Sequence, residues 1–96
     1  MSEDDITTLK VRIEGFVQGV GFREYLIMAA QQNKLDGWVR NLSDGAVEAL
    51  ASGPTKAVEA FVSAATRGPQ GARVTAVDLD VWEPPAEKGF RRVASA

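Results

Sequence analysis

At 96 residues the chain is long enough for one small core and too short for two. Its 45% hydrophobic and 25% charged residues are the ordinary balance of a globular domain, and no apolar run approaches the roughly 20 residues of a membrane helix. Three of its 13 acidic residues, Glu3, Asp4 and Asp5, sit at the start, and the rest nearly balance the 11 basic ones, which gives no support to a broad nucleic-acid-binding surface.

Residues 1–6 are expected to form an acidic, frayed tail, and residues 7–96 a single domain. The start lacks the basic-then-apolar pattern of a secretory signal, so a cytoplasmic protein is expected. Over residues 7–14, Leu9, Val11 and Ile13 alternate with Lys10, Arg12 and Glu14, the period of a half-buried strand. A glycine-rich stretch follows, Gly15-Phe16-Val17-Gln18-Gly19-Val20-Gly21-Phe22-Arg23. Residues 22–32 then read as a helix, with Phe22, Tyr25, Leu26, Ala29 and Ala30 on one apolar stripe and Asn33 or Lys34 at its close.

Residues 36–42 and 46–51 read as strands joined by the compact turn Ser43-Asp44-Gly45. Gly53-Pro54 ends the second strand and starts a helix that buries Val58, Phe61, Val62 and Ala65. After a loop at 67–71, residues 73–82 alternate as a strand, with Val77, Leu79 and Val81 expected inward and Asp78 and Asp80 outward. A proline-bearing loop at 83–89 leads to a short last strand at 90–94. Trp38, Trp82 and Phe61 are assigned to core or near-core packing. The order β-α-β-β-α-β plus a short fifth strand predicts an α+β fold: a ferredoxin-like split βαβ sandwich, two helices on one face of an antiparallel sheet.

The chemistry is concentrated in the glycine-rich stretch. Glycines at 15, 19 and 21 permit positive φ angles, so a turn there can aim several backbone N–H groups at one point. The helix that begins beside it adds unpaired N–H groups and a positive dipole end. The expected product is a phosphate cradle, with the forked cation of Arg23 closing over it. Asn41, at the end of a strand and before a turn, carries both a donor and an acceptor without charge; it either holds a water or begins the turn. The chain has no cysteine and no histidine. That excludes disulfides, thiolate and phosphohistidine intermediates and the usual His/Cys zinc site. No clustered carboxylate motif suggests a bound metal.

Ile13 through Arg23 resembles, without mismatch, the acylphosphatase signature apolar-x-Gly-x-Val-Gln-Gly-Val-x-Phe-Arg. Gly37-Trp38-Val39-Arg40-Asn41, followed by Gly45, Val47 and Gly53, resembles that family's second signature, and the likeness spans roughly residues 8–82. The resemblance implies metal-free, cofactor-free hydrolysis of a small acyl phosphate to carboxylate and inorganic phosphate by a monomer without nucleic-acid or membrane partners. Arg23 would bind the phosphoryl group, with the backbone of Val17, Gln18, Gly19, Val20, Gly21 and Phe22 completing the cradle, and Asn41 would position the attacking water. Gln18 is expected to brace the loop.

The chain departs from the family pattern at Phe16, a slot often polar or basic, at Lys34, usually glycine, and in the loosely matching ending Phe90-Arg91-Arg92-Val93. Arg12, Arg40 and Arg67 are expected to be solvated surface charges. Two other function classes are weighed: a non-catalytic anion-binding module of the same fold, and a ferredoxin-like RNA binder. The last calls for exposed aromatics on the central strands, and residues 7–14 and 46–51 contain none.

Overall fold

A computed structural model describes residues 5–96. Strand β1 (Ile6–Phe16) leads through the glycine loop to helix α1 (Phe22–Gln32). A hairpin follows, β2 (Asp36–Asn41) and β3 (Val47–Pro54), then α2 (Thr55–Arg67), β4 (Arg73–Val81) and β5 (Phe90–Arg92). The five strands lie in the order β4-β1-β3-β2-β5, the ferredoxin-like α+β arrangement expected.

Alternation decides which face is buried. Val11 and Ile13 of β1, Val39 of β2, and Val47, Ala49 and Ala51 of β3 are fully buried beneath the two helices. The helices present Phe22, Leu26 and Ala30 from α1 and Val58, Phe61 and Ala65 from α2. Burial of Phe22 and of Phe61 contributes about 1.5–3 kcal/mol each. The Tyr25 hydroxyl donates to the Ala64 carbonyl at 2.8 Å and ties the helices together. On the opposite face Glu48 is buried beneath Arg40, which donates to it at 2.7 and 2.9 Å, and Lys10.

Several elements differ from the sequence expectation. The sheet is mixed, because β5 runs parallel to β2, with Gly37 opposite Phe90 and Val39 opposite Arg92. The other pairings are antiparallel. Beyond β5, Val93 donates to Val39 and Ala96 to Asn41, so the chain continues along β2. Residues 1–4 of the expected tail lie outside the described residues. Ile6 already pairs with Pro54, and the Asp5 carbonyl accepts from the Thr55 amide at 3.1 Å.

Strand β4 is at the sheet's edge, where two helices do not suffice to cover five strands. Of its expected inward residues, Val77 is partly buried, but Leu79 is 47% and Val81 84% exposed. A bulge where Glu14 opposes Ala76 and Gly15 opposes Val74 brings Val74 into phase with Val77 against the core. Phe61 is core, as expected. Trp82 is half exposed, with the Lys10 ammonium 3.8 Å from its ring centroid. Trp38 is partly buried on the open face, with Arg40 over its ring.

Candidate active site

The loop between β1 and α1 is shaped by two left-handed residues, Gly19 at φ +77° and Gly21 at φ +76°. A side chain at either would face open space, so glycine is required there for backbone conformation, at about 1–2 kcal/mol for any other residue. Gly21 is also the N-cap of α1 and supplies no side-chain cap, which leaves the first-turn amides available to a ligand. The loop is pinned at both ends by Val17 and Phe22, each only 1% exposed.

Val17, Gln18, Gly19, Gly21, Phe22, Arg23 and Asn41 line a common cleft of about 90 Å³. The expected site residues from the loop, α1 and β2 therefore come together. Val20 is the exception: it lies in the loop but does not line the cleft, its side chain packing against the core. Arg23 is partly buried and, among the described residues, forms no ion pair or side-chain hydrogen bond. The Oδ1 of Asn41 is buried and has no hydrogen-bond partner among the described residues. A buried acceptor left unpaired costs roughly 1–3 kcal/mol, and this one shares its cleft with Arg23.

Asn41 is held in place by its surroundings. It ends β2 opposite Val47, and the turn beyond it is fastened from several directions. The Gln18 side-chain amide donates to the carbonyls of Leu42 and Ala46, which is the bracing expected of it. Asp44 accepts from the Ala46 amide at 3.0 Å and pairs with Arg12 of β1. The Ala46 amide, and then Arg12, hold the Asp44 carboxyl below its ordinary pKa, while Asp44 raises that of Arg12. From the other side the Ser43 amide donates to the Ala96 carbonyl at 2.7 Å.

Arg12, Arg40 and Arg67 stay outside the cleft: Arg12 pairs with Glu14 and Asp44, Arg40 with Glu48, and Arg67 donates to Ser63. Two residues not singled out by the sequence do line it, Glu24 and Arg92, which form an ion pair with each other. Glu24 was within reach of the motif, directly after Arg23. Arg92 stood only within the loosely matching ending, and it is the pairing of β5 with β2 that brings it there. Among the described residues no three carboxylates gather as a metal site.

The sequence profile of the acylphosphatase family matches residues 9–92. The chain belongs to the acylphosphatase family. It is 47% identical over 83 residues to an acylphosphatase of Acidiphilium cryptum, covering 86% of this chain and 91% of that one. The crystal structure of acylphosphatase from Bacillus subtilis superposes with a TM-score of 0.85 at 37% identity, over 93% of this chain and 99% of that one. An acylphosphatase structure from Coxiella burnetii gives 0.87 at 34% identity, over 93% and 94% of the two chains. The protein is thus an enzyme that hydrolyses small acyl phosphates and releases inorganic phosphate. Among the described residues of this acylphosphatase, no helix is long and apolar enough to cross a membrane.

Proposed function

We propose that the cleft performs this hydrolysis with the phosphoryl group held by the backbone amides of residues 17–22 and by Arg23, and with the attacking water held by Asn41. The observation that carries the reading is the buried Oδ1 of Asn41, without a partner among the described residues, in the same cleft as Arg23, which is likewise unpaired among them. Oδ1 accepts a hydrogen bond from water and so turns a lone pair toward phosphorus. Being uncharged, the amide does this without repelling the phosphate.

An acyl phosphate has a carboxylate as leaving group, which needs little help from a general acid. What the site must supply is alignment, together with positive charge for the equatorial phosphoryl oxygens. Amides and a guanidinium provide that charge, and the reading calls on no metal. The substrate's own phosphate accepts the water's proton. The enzyme is inferred to be cytoplasmic, since labile acyl phosphates must be met where they are made, and to work as a monomer, since the loop, Arg23 and Asn41 already share one cleft without calling on a second copy.

The test is hydrolysis of an aryl acyl phosphate in excess EDTA by the parent and by Arg23→Ala. Full parent activity, with a loss of about 10³-fold or more in the variant, is expected. Phosphate binding without turnover would favour the non-catalytic module, and activity removed by EDTA would reinstate a metal.

A further inference from the structure

Glu24 is the third residue after the N-cap of α1, Gly21. From that position a glutamate commonly reaches back to the backbone N–H of the cap residue, as in a capping box. Here it does not. No side chain caps Gly21, and the Glu24 carboxylate instead accepts from the guanidinium of Arg92.

Arg92 is delivered by β5, opposite Val39 and two residues along from Phe90, which is buried against Phe61. Its side chain therefore stands on the helix side of the sheet, and both members of the ion pair line the cleft with Arg23 and Asn41. A carboxylate in the first turn of a helix is drawn by the same partial positive charge that attracts an anionic ligand. Left alone at this place, Glu24 is a competitor built into the chain. It can occupy the Gly21 amide and add negative charge where a phosphate must enter.

We propose that Arg92 is a positioning residue that holds the Glu24 carboxylate away from the cradle amides and so keeps the phosphoryl site open, an inference that rests on those amides binding the phosphoryl group. The pair also cancels internally, so Arg23 sets the net charge of the cleft. Arg92 acts through Glu24 and not on the anion. Its removal is harmful only while Glu24 is present, and that dependence separates this role from phosphate binding and from a simple contribution to stability.

The experiment is calorimetric titration of inorganic phosphate at low salt, with KM and kcat for an aryl acyl phosphate, on the parent, Arg92→Met, Glu24→Ala, the double variant and Arg23→Ala. Arg92→Met should bind phosphate about three- to tenfold more weakly, with KM rising in parallel, and the deficit should shrink in high salt. The double variant should return to within about twofold of the parent. If it remains as weak as Arg92→Met, the proposal is overturned, because loss of a phosphate ligand or of packing is not restored by removing Glu24. If the parent binds no phosphate, or Arg23→Ala binds it equally well, the underlying site reading falls and takes this proposal with it.

Discussion

The side-chain amide of Gln18 donates to two carbonyls at once, Leu42 at 2.8 Å and Ala46 at 2.9 Å. One side chain thereby couples the glycine loop to the turn that follows Asn41. In a reaction governed by alignment, the spacing between the proposed cradle and the amide proposed to hold the water matters more than either part alone.

Gln18→Ala should therefore act mainly on turnover. Two partly buried carbonyls lose their donor at about 1–3 kcal/mol in stability, and kcat should fall by roughly 10–100-fold through misplacement. Steady-state kinetics and urea unfolding measure both. Unchanged kcat in a destabilised variant would show that the brace serves the fold and not the reaction.

Asn41→Ala should lower kcat by about 10³-fold while leaving phosphate affinity within about threefold, since the amide is assigned to water and not to the phosphoryl group. It should not destabilise the fold by loss of a bond, because Oδ1 has no partner to lose among the described residues. Asn41→Asp should be worse on both counts, placing a carboxylate in a buried position against the anion. Calorimetric phosphate binding distinguishes the two variants. Strong loss of affinity in Asn41→Ala would overturn the division of roles.

Lys34 sits at φ +56°, the only non-glycine residue with positive φ among those described. It occupies the position after Asn33, the C-cap of α1, where its amide donates to Gln31 and that of Leu35 to Ala30. The Asn33 side chain additionally donates to Ala29 at 2.8 Å, so both residues share in closing the helix. Lys34→Gly should relieve the left-handed strain and stabilise the protein by about 0.5–1 kcal/mol. A higher urea midpoint at unchanged m value is the expected result.

Asp44 gives the turn an acid limit. Its carboxyl is held below the ordinary value first by the Ala46 amide and then by Arg12. A depressed carboxyl contributes stability in full above its unfolded pKa, near 4, and that contribution is lost as pH falls through the folded value. The stability difference between parent and Asp44→Asn should be constant above about pH 5 and shrink below about pH 4. Urea midpoints across that range provide the check, and a difference that grew in acid would contradict the sign.

The parts of the molecule legible in the sequence are those fixed by local pattern. The alternation of β1 and the glycine spacing before Phe22 foretold the strand, the loop and the start of α1, and the compact turn at 43–45 foretold the hairpin. What was not legible depends on neighbours distant along the chain. The inward set of β4 failed at Leu79 and Val81 because alternation indicates a face and not whether a helix covers it. The direction of β5 was hidden because a three-residue strand has no pattern of its own, and with it went the arrival of Arg92 at the cleft. Even the buried, unpartnered state of Asn41 Oδ1 is set by surroundings no local pattern reports.

The turn beside Asn41 is stitched to Gln18 on one side and Ala96 on the other. The cleft is thus made of stretches far apart in sequence that meet only in the fold, and the unfolded chain has no counterpart of it. If the cleft holds phosphate as proposed, phosphate acts as a thermodynamic weight on the native state. Each tenfold excess over its dissociation constant adds about 1.4 kcal/mol to the stability of the entire domain, so that the reaction product protects the catalyst from unfolding.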